Sequence, residues 1–147
     1  MIIICGLPAS GKSTLAKKIG HNKRILEYDF IARQFGSYKE LNEEKEFANR
    51  HFNLLASTHQ YDIVIDVFNT RQSRYDIISF LKIKPDLIYV YCPVEECIRR
   101  NVLRHHSMVS NDEIRGLSYM FEPINIEEGF NKILVYDSIT NTMTGGC

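Results

Sequence analysis

The chain has 147 residues, and its 18 lysines and arginines balance 18 aspartates and glutamates. That length suits one domain over residues 1–147, and a 44% apolar and 24% charged composition excludes disorder, collagen-like repeats and coiled coils. No apolar run approaches the ~20 residues of a membrane helix, and the opening Met1–Cys5 is too short for a signal-peptide core. A soluble, cytoplasmic protein with no membrane partner is expected.

The four cysteines, Cys5, Cys92, Cys97 and Cys147, match no zinc spacing and no disulfide framework. Cys5 and Cys92 close apolar runs and read as small core residues. Charge is uneven along the chain: residues 1–33 carry six basic and two acidic side chains, and residues 116–147 one basic and four acidic. A polyanionic partner would have to be met by a local patch, because there is no overall positive field.

In chain order, Ile2–Cys5 reads as a buried strand ended by Gly6. Lys12–Ile19 reads as a helix with Leu15, Ala16 and Ile19 on one face. Ile25–Tyr28 is a second strand, and Phe30–Phe35 a short helix. Lys39–His59 has helical periodicity through Phe47, Ala48, Phe52 and Leu55. Asp62–Phe68 is a buried strand, Arg71–Lys82 a helix and Asp86–Cys92 another strand. Pro93 opens a helix to about Arg104, where its missing N–H costs nothing. Ser110 and Glu113 form a capping-box pattern for a helix to Phe121. Lys132–Tyr136 is the last strand. Strands alternating with helices imply a mostly parallel sheet covered on both faces. Ligands in such sheets sit beyond the carboxyl ends of the strands.

Directly after the first strand stands Gly6-Leu7-Pro8-Ala9-Ser10-Gly11-Lys12-Ser13, a full match to the phosphate-loop pattern G-x-x-x-x-G-K-[ST]. Gly6 and Gly11 permit backbone angles and close approach that a Cβ would block. Consecutive N–H groups and the following helix dipole then suit a phosphate chain. Lys12 offers a mobile charge to the β- and γ-phosphates, and the Ser13 hydroxyl suits Mg²⁺. Gly6, Ala9, Ser10, Gly11, Lys12, Ser13 and Thr14 are assigned to ATP.

The remaining strand ends carry the rest. Asp29 follows the second strand, where a carboxylate can orient a substrate hydroxyl and take its proton; it is equally a residue favoured at helix starts. Asp66 closes Ile63-Val64-Ile65 in the Walker-B manner and is a candidate Mg²⁺ residue. Asn69 is placed to meet substrate or lid. Arg71 and Arg74 read either as acceptor contacts or as solvated helix charges. Arg100 and Arg104, four apart, would share a helix face and bring two guanidinium groups to the phosphate tail. Tyr28, Phe30 and Phe35 are candidates for stacking on a base, although Phe30 and Phe35 are more simply core. His105 and His106 receive no role.

These pieces, GLPASGKST, Asp29, VIDVFNTRQSR, CPVEECIRRNVLR and VSNDEIRGLSYMFEPI, occur in one order. Together they resemble the polynucleotide-kinase-like branch of phosphate-loop (P-loop) kinases over residues 2–136. The resemblance implies an α/β P-loop NTPase fold with a parallel five-stranded sheet ordered 2-3-1-4-5 and an Arg-bearing lid. It implies Lys12, Asp29 and Arg104 as catalytic residues, Arg100 and Arg104 as lid contacts to ATP, and Ser13 for Mg²⁺, beside the Asp66 read from its strand end. The family often has an arginine three residues after the base; here Ala32 holds that position and Arg33 follows, about 100° around a helix. Arg33, Asn69 and Arg71, with Asp29, are the expected acceptor contacts.

The favoured expectation is an ATP-dependent kinase of a polynucleotide 5′-hydroxyl end. Alternatives are a kinase of a small hydroxylated acceptor, such as a nucleoside, nucleotide or metabolite, and a non-catalytic NTP-switched binding protein. Zero net charge and few aromatics near the basic patches favour the small acceptor over a nucleic-acid strand.

Overall fold

A computed structural model describes residues 1–34, 42–105 and 108–146, with the backbone alone for 42–45 and 146. Phe35, the first residues of the helix expected from Lys39, and His106 lie outside the described residues.

The elements in chain order are β1 (Ile2–Cys5), α1 (Lys12–Ile19), β2 (Ile25–Glu27), α2 (Tyr28–Gln34), α3 (Asn42–Ser57), β3 (Ile63–Ile65), α4 (Arg71–Ser79), β4 (Asp86–Tyr91), α5 (Val94–Asn101), α6 (Asn111–Tyr119), β5 (Ile133–Asp137) and β6 (Thr142–Gly146). A short 3₁₀ turn covers Ile126–Glu128. The strands form one sheet in the order β2-β3-β1-β4-β5-β6. The first five are parallel, as expected, with Ile3 opposite Val64 on one side and Leu87 on the other.

The central strands read as continuous apolar runs because both faces are covered. Ile3, Cys5, Val64 and Leu87 face one layer, where they meet Leu26, Ala48, Phe52 and Ile77. Ile4, Ile63, Ile65, Ile88 and Val90 face the other, against Leu15 and Ala16 of α1. Alternation along each strand sends neighbours to opposite layers. Cys5 and Cys92 are buried, in keeping with their position at the ends of apolar runs.

Four expectations are corrected. The sheet has six strands, since β6 adds antiparallel to β5. Its sequence, Thr-Met-Thr-Gly-Gly, lacks a strand's apolar alternation and reads as a tail. The signal lay in the turn: Asp137 Oδ1 accepts the N–H groups of Ile139 (2.8 Å) and Thr140 (3.3 Å). Asn141 then takes a left-handed conformation (φ 56°), which asparagine tolerates. Second, α5 ends at Asn101 rather than Arg104. Third, Phe30 is exposed rather than core, lying on the outer face of α2. Fourth, Arg74 is not a solvated charge but fully buried.

Arg74 is the polar centre of its layer. Its Nε donates to Glu128 Oε2 (2.6 Å) and its Nη2 to Glu128 Oε1 (3.1 Å). Nη1 donates to the Phe68 carbonyl (2.9 Å), and Nη2 also reaches the carbonyls of Glu122 (3.0 Å) and Pro123 (3.4 Å). All three guanidinium nitrogens thus donate, to one carboxylate and three backbone carbonyls. It ties the loop after β3 to the segment after α6. Among the described residues no helix is long and apolar enough to cross a membrane.

Removing one partner of a buried ion pair strands the other charge. Arg74→Ala is therefore expected to lower the unfolding free energy by about 3–5 kcal/mol. Urea denaturation followed by circular dichroism checks this; a midpoint equal to wild type would mean that Arg74 is dispensable to the fold.

Candidate active site

The carboxyl ends of β1, β2, β3 and β5 open on one cavity of about 730 Å³. Its floor is the turn after β1. The backbone must pass β4 there: a Cβ on Gly6 would stand 2.7 Å from the Val90 carbonyl oxygen. Gly6 takes φ 155° and Gly11 φ 105°, conformations open to glycine, and Ala9 is held left-handed at φ 62°. Gly11 is the N-cap of α1, so the helix starts inside the turn.

Lys12 bends back over this turn and donates through Nζ to the carbonyls of Gly6 (2.9 Å) and Leu7 (2.8 Å). Burial pushes the Lys12 amine below its ordinary pKa, and the nearby carboxylates of Asp29 and Asp66 partly restore it. The Ser13 hydroxyl donates to Glu27 Oε1, which directs its proton away and leaves its oxygen lone pairs for a cation. Asp66 sits at the end of β3, and its Oδ1 accepts the Val67 N–H at 2.7 Å.

Asp29 stands in the first turn of α2, directly after β2. Its Oδ2 is 3.7 Å from Arg104 Nη2. Arg104 lies in the turn beyond α5, and among the described residues its buried Nη1 has no hydrogen-bond partner. Arg100 is held differently: Nε donates to Glu96 Oε1 (3.0 Å), Nη1 to the Ser10 carbonyl (3.1 Å) and to Ser138 Oγ (3.2 Å). The two arginines therefore do not share a helix face as expected. The helix ends between them, so Arg100 backs the phosphate turn and Arg104 faces Asp29. Asn101 fixes this lid segment, its carboxamide bonding both the N–H (3.3 Å) and the carbonyl (2.6 Å) of Val109.

Of the expected site residues, Ala9, Gly11, Lys12, Ser13, Thr14, Asp29, Asp66, Asn69, Arg100 and Arg104 line the cavity together. Gly6 and Ser10 are buried beneath the turn. Arg33 and Arg71 are not in the lining. Arg33 is exposed on α2, its Nε donating to the Asp29 carbonyl (3.3 Å) and its guanidinium over the Phe30 ring. Arg71 is exposed and lies beside Glu122 (3.9 Å). The positional shift from Ala32 to Arg33 turns that guanidinium outward, away from the cavity. Tyr28 lines the cavity but is buried, and burial pushes its phenol up to about 12, so it stays protonated at neutral pH.

Sequence reasoning missed several lining residues. Glu27 read as an ordinary strand residue, although a carboxylate at the carboxyl end of a parallel strand was a usable signal. Ser138 and Asn141 follow β5 and were hidden by the overlooked hairpin. Asn49 and Glu113 lie on exposed helix faces, where nothing in one sequence separates them from solvated residues.

A strand, a glycine-bounded turn with Lys12 and Ser13, and a helix whose N-terminus faces a cavity constitute a P-loop nucleotide-binding site in an α/β sheet. The chain matches the AAA domain family over residues 1–124 and belongs to it. None of the curated proteins matches it. Among solved structures it is similar to a sugar kinase from Janibacter sp., at 15% identity over 94% of this chain and 84% of that one, with a TM-score of 0.70. It is also similar to a gluconokinase from Sinorhizobium meliloti (13% identity, 93% of this chain and 81% of that one, TM-score 0.70). A deoxyadenosine kinase from M. mycoides is 16% identical over 94% of this chain and 90% of that one, with a TM-score of 0.60. At such identities the likeness is one of fold, the α/β P-loop kinase fold.

The lowered Lys12 pKa has a consequence with a definite sign. Polyphosphate binds the protonated amine, so nucleotide affinity falls as pH rises through the lowered pKa, before an ordinary lysine would titrate. Calorimetric titration of nucleotide from neutral to alkaline pH reads this decline. The Lys12→Ala variant should bind far more weakly and lose that pH dependence; a variant that kept both would separate Lys12 from the phosphates.

Proposed function

We propose that this protein is an ATP-dependent kinase that transfers the γ-phosphoryl group to a hydroxyl of a small acceptor. The single observation that carries this is the Asp29 carboxylate standing across the cavity from the phosphate turn, beside Arg104. A nucleotide switch needs a triphosphate site and a carboxylate for its metal, but no second carboxylate to serve an acceptor hydroxyl. The kinase fold of the solved relatives supports the same class of reaction.

In this reading the phosphate chain lies in the turn from Gly6 to Ser13, held by backbone N–H groups, the α1 dipole and Lys12. Lys12 exchanges its two carbonyl partners for phosphate oxygens. Arg100, braced by Glu96, Ser10 and Ser138, stiffens the turn from behind. Arg104 stabilises charge on the phosphoryl oxygens in the transition state. Magnesium fits the donor set: the Ser13 hydroxyl and the Asp66 carboxylate would hold it, and it would neutralise charge on the phosphates. The acceptor oxygen forms a bond to the γ-phosphorus as the bond to the β–γ bridging oxygen breaks and ADP leaves. The hydroxyl proton passes to Asp29 and then to solvent.

The resemblance to polynucleotide-kinase-like enzymes carries the same chemistry with a 5′-hydroxyl end as acceptor. The outward placement of Arg33 and Arg71 favours the small acceptor, because a strand's phosphates need cations beside the base.

The test is transfer from γ-labelled ATP with Mg²⁺ to a pool of small hydroxylated compounds and to a 5′-OH oligonucleotide. Label on the small compounds is expected, and label confined to the oligonucleotide would return the acceptor to nucleic acid. Asp29→Asn should keep nucleotide affinity and lower kcat by about 10²–10⁴-fold. Arg104→Ala should lower kcat by about 10³-fold or more, with a smaller effect on binding. Full turnover in Asp29→Asn would remove it as the base.

A further inference from the structure

Ser13 does not stand alone at the place assigned to the metal. Glu27 is the last residue of β2, and strand alternation decides where its side chain goes. Leu26 packs into the layer of Ala48 and Phe52. Ile25 packs into the other layer, with Leu15 and Ala16 of α1. Glu27, two residues on from Ile25, therefore emerges on the α1 side of the sheet. There α1 begins with Lys12 and Ser13.

Strand register brings Glu27 level with the metal carboxylate. Glu27 stands opposite Ile65 of β3, and Ile65 opposite Ile4 of β1. Asp66 follows Ile65 directly. Ser13, Glu27 and Asp66 thus come from three elements to one end of the sheet and line the same cavity. A β-branched or aromatic residue is the ordinary choice in a strand, and a half-buried carboxylate needs a partner to offset its lost hydration. Glu27 Oε1 has one in the Ser13 hydroxyl.

That contact is directional. A carboxylate only accepts, whereas a hydroxyl has one proton and two lone pairs. Ser13 therefore gives its proton to Glu27, and both lone pairs of Oγ stay available to a cation. The bond supplies the orientation a metal needs and uses none of the donor capacity. Without Glu27 the hydroxyl is free to turn its proton toward the cavity, where it would repel a cation. A carboxylate behind the hydroxyl also raises the electron density on its oxygen, as outer partners of metal ligands do.

We propose that Glu27 is a positioning residue for the divalent cation, acting through Ser13 to orient and polarise the hydroxyl that holds Mg²⁺ beside the nucleotide phosphates. This rests on the nucleotide and Mg²⁺ part of the kinase assignment and not on phosphoryl transfer.

The test reads metal binding rather than turnover. Mn²⁺, whose free form gives an electron paramagnetic resonance signal, is titrated into ADP-saturated protein. Glu27→Ala is expected to weaken Mn²⁺ binding by about 10- to 100-fold. Its affinity for ADP without metal, read by calorimetry in EDTA, should not be lowered. Glu27→Gln keeps an accepting oxygen and should fall nearer to wild type than to Glu27→Ala. In a Ser13→Ala background Glu27→Ala should cost nothing further, because the group it positions is gone. Wild-type Mn²⁺ affinity in Glu27→Ala overturns the proposal. So does a loss in Glu27→Gln as large as in Glu27→Ala, or a full loss that persists without Ser13, since either would make Glu27 a direct ligand. A matching loss of metal-free ADP binding would assign Glu27 to the shape of the turn and overturn it too. If Glu27→Ala does not fold, Glu27→Met keeps the side-chain length without a strong acceptor and carries the same comparison. The kinase assignment fails separately: a protein that binds ADP and Mn²⁺ as stated but transfers no phosphoryl group loses that assignment and keeps this role for Glu27. A wild-type protein that binds no ADP loses both.

Discussion

The top of the sheet depends on the closeness of the Gly6 backbone to β4. The phosphate turn can fold tightly only because nothing larger than hydrogen stands between Gly6 and the Val90 carbonyl. That contact sets where α1 begins, with Gly11 as its left-handed N-cap. It also sets where Lys12 and Ser13 emerge, because they are the first two residues of that helix. Lys12 then closes the turn by bonding the carbonyls at its far end. A turn already held in this shape needs little reorganisation when phosphate arrives.

The opposite wall is stabilised by different means. The loop after β3 carries Asp66, Phe68 and Asn69 away from the sheet, and Phe68 is left-handed at φ 45°, unusual for a bulky residue. Such a conformation persists only where surroundings over-determine it. Here the Phe68 carbonyl accepts from buried Arg74, and its ring lies in the core beside Phe52. The Asn69 carbonyl accepts the Glu122 N–H (2.8 Å), and the Asn69 amide bonds Leu117. The loop is thus fastened on both sides, to α4 by Arg74 and to the segment after α6 by Asn69. The cost of burying a guanidinium is offset by the Glu128 carboxylate and three backbone carbonyls that accept from it.

The sequence displays the parallel frame openly, since buried strands must be apolar runs and each ends in a residue unlike the run. Gly6, Asp29 and Asp66 stand out for that reason, and the cavity gathers the last two with Lys12 and Ser13. Three features stayed hidden, each for a physical reason. Arg74 is a charge whose burial depends on Glu128, 54 residues away, and no local pattern announces such a partner. The hairpin to β6 rests on an Asp137 turn and an Asn141 φ angle rather than on apolar alternation. The split between Arg100 and Arg104 follows from a helix that ends at Asn101, after which the backbone tightens into a turn, the Leu103 N–H donating to the Arg100 carbonyl and the Arg104 N–H to that of Asn101.

The distribution of arginine partners also gives the cavity a direction. Arg100 is tied to Glu96 and to the back of the phosphate turn, so it is fixed before any ligand binds. Arg104 stands 3.7 Å from Asp29, and among the described residues its buried Nη1 has no partner. A buried donor without an acceptor is costly, and a phosphoryl oxygen arriving between the turn and Asp29 would supply one. In the proposed reaction one arginine beside one carboxylate brings the phosphoryl group and the acceptor hydroxyl to the same end of the cavity.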